Sequence, residues 1–256
     1  MAIKDFVQEG LTAGEVIELV SLDVQVAFEA ALWPGIWNEL RECGCPKTYG
    51  LTKSYFIQRT ASLSTNNLRT EKEISRVWPK GLCCGPGFWN LQYNSLLELK
   101  YMARTKVVAF ADDLIMATRG NSVRAVENYV NIELSKIKRW SKNKKTKFND
   151  KKSKVILVSR RKRKGNKNLT VYLNHKPLDQ VTQMKYLGII LDHKFRFQEH
   201  IKYAAERCAK LIHSLSKAAK LTCGFKHAAM AIIYKGAILP LLTYGAPVWN
   251  SDFQRK

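Results

Sequence analysis

The sequence predicts an α+β fold, mixed over residues 1–192 and followed by a small helical segment over 193–256. Three observations predict it. Strand-like and helix-like stretches alternate up to about residue 192. Two apolar runs, Val107–Phe110 and Leu114–Thr118, flank the pair Asp112-Asp113 in a tight turn. Beyond His193 the strand signals give way to helical spacing.

Each element has its own reason. Val16–Val24 (VIELVSLDV) is aliphatic and β-branched and reads as a buried strand ending beside Asp23. Trp33–Cys43 reads as a helix entered at Pro34, and Thr48–Thr60 as a second helix. Thr60–Val77 alternates around the turn cluster Thr65-Asn66-Asn67, which predicts a hairpin. Pro86–Lys100 reads as a helix. The runs on either side of the Asp pair are apolar throughout, as in strands buried on both faces. Val123, Val126, Val130, Leu134, Ile137 and Trp140 repeat at helical spacing, after a break at Gly120 and Asn121. Val155–Val158, Leu169–Leu173 and Lys185–Leu191 are further strand candidates, and His200–Lys220 and Lys226–Ile238 read as amphipathic helices.

Composition bounds the function. The chain has 256 residues and is 46% apolar, which excludes wholesale disorder. Its net charge of +22 points to a polyanion partner, nucleic acid ahead of an anionic membrane surface. Between Lys136 and Lys167, sixteen Lys or Arg face one acid, Asp150. That stretch is either a solvated basic face or a track for phosphates. Within it, Arg160–Lys164 is either a nuclear-import signal or a solvated loop. No unbroken apolar run nears the roughly 18 to 20 residues that span a bilayer; Ala237–Leu242 is far shorter. The N-terminus, MAIKDFVQEG, lacks a leader pattern. An intracellular protein, cytoplasmic or nuclear, with no membrane partner is therefore expected. The six cysteines form no C-x-x-C pair and read as reduced thiols, with Cys83-Cys84 expected as small buried apolar residues.

Three carboxylates stand out by context: Asp23 at a buried strand end, and Asp112 and Asp113 between apolar strands. Read alone, an Asp pair in a turn is equally an ordinary exposed turn pair. Adjacent carboxylates near a buried sheet repel each other and resist desolvation, and a divalent cation relieves both costs. Hard oxygen ligands suit magnesium, and a third carboxylate from another strand completes a site for phosphoryl transfer.

These residues resemble a known family. Phe110-Ala111-Asp112-Asp113 within VVAFADDLIMATRG resembles the catalytic hairpin of reverse transcriptases, in particular those of non-LTR, LINE-type, jockey-like retrotransposons. Ser21–Phe28 is similar to the first palm motif, D-x-x-x-A-F. Pro79-Lys80-Gly81 with Gly85–Asn90 resembles the P-Q-G-S-x-x-G-P-x-x-W-N block. Trp140 and Lys147–Lys154 are similar to the lysine-bearing segment after the hairpin, Lys185–Asp192 to the primer-grip strand, and Tyr244–Trp249 to a further family block. The blocks occur in family order over nearly the whole chain.

The resemblance implies a right-hand polymerase palm with an antiparallel catalytic sheet, and a helical thumb-like segment. It implies RNA-directed DNA polymerisation, adding dNTPs to a DNA primer 3′-OH on an RNA template with two Mg²⁺, or Mn²⁺. On it, Asp23 and Asp112 ligate the metals, with Asp113 and the Val24 carbonyl in support. Phe28 becomes the gate against a ribose 2′-OH, although by itself it reads as core. Lys80 and Gly81 face the nucleotide. Lys152, with Lys154 as rival, protonates the leaving pyrophosphate. Tyr186, Leu187 and Gly188 position the primer end. Trp89 and Trp140 read as core anchors rather than stacking platforms.

The pattern also has departures. Lys80 stands where the family has Gln, Val77 where it has Gly, and Leu82 where it has Ser. About twenty residues precede Asp23, where the family carries a fingers region, and no endonuclease domain is recognisable. A truncated copy is therefore expected. The alternative function is a degenerate, non-catalytic nucleic-acid-binding remnant.

Overall fold

The structure is a computed structural model and describes residues 2–25, 33–65, 68–74, 83–160, 169–221 and 227–250. Helix α1 (Ala2–Thr12) leads into strand β1 (Val16–Gln25). Helices α2 (Trp33–Glu42) and α3 (Pro46–Phe56) precede a hairpin of β2 (Thr60–Thr65) and β3 (Leu68–Glu73). Helix α4 (Gly85–Leu97) precedes the hairpin of β4 (Thr105–Phe110) and β5 (Asp113–Gly120). Helix α5 (Val123–Asn143) returns to the long strand β6 (Lys147–Val158). Short strands β7 (Tyr172–Leu173), β8 (Lys176–Pro177) and β9 (Asp179–Gln180) lead to a last hairpin, β10 (Gln183–Tyr186) and β11 (Ile189–Asp192). Helix α6 (Gln198–Leu221) and helical turns over 227–249 follow, with no strand after Asp192 among the described residues.

The central sheet has the order β4-β5-β1-β6-β9, and β1 runs antiparallel to both neighbours. One face of β1, with Val16, Val20, Leu22 and Val24, packs with Leu114 and Met116 against Trp89, Tyr93, Val130, Leu134 and Ile137 of α4 and α5. The other face, with Ile17 and Leu19, packs against Val7 and Leu11 of α1 and against Met184, Leu191, Phe195 and Phe197. Burial on both faces is why β1 and β5 read as continuous apolar runs rather than alternating ones. A third core gathers Trp33, Ile36, Leu40, Phe56 and Phe88 beneath α2, α3 and α4.

Several elements differ from expectation. Strand β6 starts at Lys147 rather than Val155, because pairing with β1 over Asp23–Gln25 outweighs the poor strand preference of its lysines. The segment 185–191 is a hairpin, not one strand. Its turn residues Leu187 and Gly188 both lie at positive φ, 45° and 81°, as a two-residue type I′ turn requires. Only Tyr172–Leu173 of the stretch 169–173 is a strand. The cap of α5 is Ser122, whose hydroxyl accepts from the Ala125 amide at 3.2 Å. Cys83 and Cys84 are exposed where α4 begins, not buried as expected.

The C-terminal helical run qualifies the expectation drawn from apolar run lengths. The stretch Ala228–Trp249 reaches a mean hydropathy of 1.4 with none of that apolar window fully buried, and by length and composition alone it is long and apolar enough to cross a bilayer. Lys235 and scattered polar residues hide this from a search for unbroken apolar runs. The run is not one regular helix. Pro240 has no amide hydrogen to donate and its ring displaces the carbonyl four residues back, and Tyr234–Ile238 widens into a π turn with Leu239 N–H bonded to the Tyr234 carbonyl. At Gly245, φ +68°, the chain turns again, and Tyr244 and Trp249 fold back on the β10–β11 hairpin.

Candidate active site

Two elements deliver the carboxylates. Asp23 sits near the end of β1, and Asp112 and Asp113 sit at the turn joining β4 to β5, the strand that pairs with β1. The Phe110↔Asp113 pair closes a two-residue turn, with Ala111 at φ +51°. A β-carbon is costly in that conformation. The Trp89 indole N–H donates to the Ala111 carbonyl at 2.7 Å and holds the turn from α4. Trp89 is thus a core anchor, as expected, with a positioning task added.

The three carboxylates share one electrostatic neighbourhood. Partial burial, then the charges of Asp112 and Asp23, hold the Asp113 carboxyl above its usual range, although the residue still meets solvent. Burial, then Asp112, Asp23 and Asp113, raise Tyr93, whose buried hydroxyl has no hydrogen-bond partner. Burial and Asp113 push Tyr186 up to about 12. Sequence reading missed Tyr93, and its signal was the four-residue step from Trp89 along α4.

A local irregularity supplies the lysine. Ser21 pairs with Lys154 but Asp23 pairs with Asn149, so five steps of β6 oppose two of β1. The excess forms a bulge that projects beside Asp23. Asn149 Oδ1 accepts from the amides of Lys151 and Lys152 at 3.1 and 3.4 Å. Ser153, fully buried, donates to the Asn149 carbonyl at 2.7 Å and accepts from the Asp23 amide at 3.2 Å. The bulge carries Lys152 Nζ to 3.9 Å from Asp23 Oδ2, whereas Lys154 stays in the ladder opposite Ser21. Asn149 and Ser153 were not singled out from the sequence. Their signal was the preference of Asn and Ser for bonding nearby backbone.

The remaining expected residues divide. Val24 lies in the ladder opposite Phe148. Tyr186, Leu187 and Gly188 form the tip of the β10–β11 hairpin, and the Tyr244 hydroxyl donates to the Leu187 carbonyl at 2.9 Å. Phe28, Lys80 and Gly81 lie outside the described residues, as do Val77 and Leu82. Among the described residues no three His, Cys, Asp or Glu side chains form a closed ion cage. The all-oxygen set nevertheless fits a hard divalent ion held open for substrate phosphates, because magnesium is held by one or two carboxylates plus the substrate.

The profile of the reverse transcriptase (RNA-dependent DNA polymerase) family matches residues 9–191, a span that includes all three carboxylates, the bulge and the last hairpin. The chain belongs to the reverse transcriptase family. Such enzymes use divalent metal ions. Over 240 residues it is 26% identical to a protein of the type-1 retrotransposable element R1DM of Drosophila melanogaster, covering 94% of this chain and 23% of that one. It is 24% identical to the RNA-directed DNA polymerase of the Drosophila mobile element jockey, covering 97% of this chain and 27% of that one. The chain thus spans about a quarter of the length of these relatives. In fold, it resembles apo telomerase from Candida tropicalis, with a TM-score of 0.54 at 12% identity over 75% of this chain and 38% of the other. The reverse transcriptase palm expected from the sequence is borne out as a fold.

Proposed function

We propose that this chain is the catalytic palm of an RNA-directed DNA polymerase that adds dNTPs to a DNA primer 3′-OH on an RNA template. The observation that carries the reading is the meeting of Asp23 with Asp112 and Asp113 beside a lysine 3.9 Å from Asp23. Asp23 and Asp112 hold two Mg²⁺, or Mn²⁺, assisted by Asp113 and the Val24 carbonyl. The ions supply activation of the primer oxygen and charge neutralisation on the departing pyrophosphate. Lys152 gives that pyrophosphate its proton, and an exposed lysine on a bulge can follow the leaving group. Tyr186, Leu187 and Gly188 support the primer end from their hairpin tip. Phe28, Lys80 and Gly81 take the gate and nucleotide-facing roles that the family resemblance gives them.

A second reading, a non-catalytic nucleic-acid-binding remnant, is favoured by the altered residues Val77, Lys80 and Leu82 and by the open carboxylate set. Primer extension on an RNA template with Mg²⁺ and dNTPs, beside Asp112→Ala, separates the two. Extension lost in the variant supports the polymerase. No extension by the parent, with salt-dependent RNA binding intact, supports the remnant.

A further inference from the structure

A second basic site lies away from the carboxylates. A cleft of about 440 Å³ opens between α5 and the β7–β8 hairpin. Lys138 and His175 stand on its rim, with Lys138 Nζ hydrogen-bonded to His175 Nε2 at 2.7 Å. Leu134 contributes an apolar patch, and Tyr172 lines the cleft while half exposed, at 49%. The hairpin turn Asn174-His175 has both residues at positive φ, 53° and 67°. Asn-Gly is the relaxed choice there, so the turn holds the His175 imidazole at a conformational cost.

The acids around the cleft are engaged. Asp150 pairs with Lys176 at 2.7 Å, and Glu127 accepts from the Thr170 amide at 3.2 Å. Asp150 also links the two sites, because it sits in the bulge that carries Lys152 to Asp23. A lysine ammonium beside an imidazole, an exposed aromatic ring and an apolar floor in a nucleotide-sized cleft match what single-stranded nucleic acid requires, phosphate on a cation and base on an aromatic face.

We propose that this cleft holds one nucleotide of a single-stranded RNA outside the catalytic site, with its phosphate on Lys138 and His175 and its base against Tyr172. The inference rests on RNA being the polyanion of this chain, but its test needs no synthesis, so the two readings fail separately. Affinity for a short fluorescent oligouridylate is measured by anisotropy across a salt series. Lys138→Glu is expected to weaken binding about tenfold or more and to reduce the salt slope by about one. Tyr172→Ala is expected to weaken it about tenfold with the slope unchanged, and Tyr172→Phe to restore it. Lys106→Glu, the same charge change on edge strand β4, is expected to bind as the parent does. Equal losses from Lys106→Glu and Lys138→Glu would overturn the proposal, as would parent-like binding by Tyr172→Ala. Free uridine monophosphate binding as tightly as the oligomer would overturn the assignment to a strand.

Discussion

The Trp89 indole nitrogen donates to the Ala111 carbonyl at 2.7 Å, so helix α4, from a residue 22 positions earlier in the chain, fixes the turn that carries Asp112. The bond spans the junction between α4 and the β4–β5 hairpin. Trp89→Phe keeps most of the ring packing against Tyr93, 4.7 Å between centroids, and removes the donor. Ala111 is exposed, so water can take the vacated carbonyl and the lost bond costs about 0.5–1.5 kcal/mol. We expect a loss of that size in chemical denaturation, and a fall in primer extension on the order of ten- to a hundredfold from misplacement of Asp112.

Ser153 joins the β6 bulge to β1 through one hydroxyl. Ser153→Ala strips the Asn149 carbonyl and the Asp23 amide of partners inside the sheet. We expect about 1–3 kcal/mol of destabilisation. Lys152 and Asp23 are then no longer held in register, so extension should fall further than stability alone explains. Comparing rates at a temperature where both proteins are fully folded checks this.

Glu18 lies fully buried on the α5 face of β1, and neither carboxylate oxygen has a hydrogen-bond partner. Burial first, and then the charge of Glu127, push its carboxyl up to about 8 from 4.5. The folded chain therefore holds this proton more tightly than the unfolded chain. Ionisation of Glu18 adds no cost below the lower value and destabilises increasingly as pH rises towards the upper one, by about 1.4 kcal/mol per pH unit in between. Glu18→Gln should flatten that part of the stability profile, with its gain growing from about pH 5 to about pH 8 in urea titrations.

Gly188 sits at φ +81°, and a β-carbon there would meet Tyr244 Cε1 at 2.9 Å. Gly188→Ala therefore strains the hairpin tip by about 1–2 kcal/mol and pushes away the ring whose hydroxyl bonds Leu187. We expect a lower Tm, by roughly 2–4 °C for each kcal/mol at this chain length. Adding Tyr244→Ala should recover the clash but not the backbone strain, a non-additivity that thermal melts of the four proteins would read.

Much of the site was legible because it rests on local patterns. Asp112 and Asp113 stand between two apolar runs, and Asp23 ends a third, so sequence alone marked where carboxylates meet a buried sheet. The periodic face of α5 was legible for the same reason. What escaped depends on pairing between distant segments. The lysine-rich start of β6 has little strand preference and becomes a strand only against β1. The bulge is a mismatch between two ladders, which neither strand encodes alone, so Ser153 drew no notice. Leu187 at φ +45° carries no turn signature, and the β10–β11 hairpin therefore read as a single strand. Helix α1 also went unread, although Val7 and Leu11 pack against β1.

The position of β1 between β5 and β6 has a consequence for synthesis. Val20 meets Met116 on one side and Val155 on the other, both far along the chain. β1 leaves the ribosome before both of its partners, so neither edge of it is paired until β5 and then β6 have emerged. Both apolar faces must wait through that interval, and the loops to be closed make pairing slow. The strand that bears Asp23 is thus adhesive on both faces throughout that interval, and one a chaperone would have to shield.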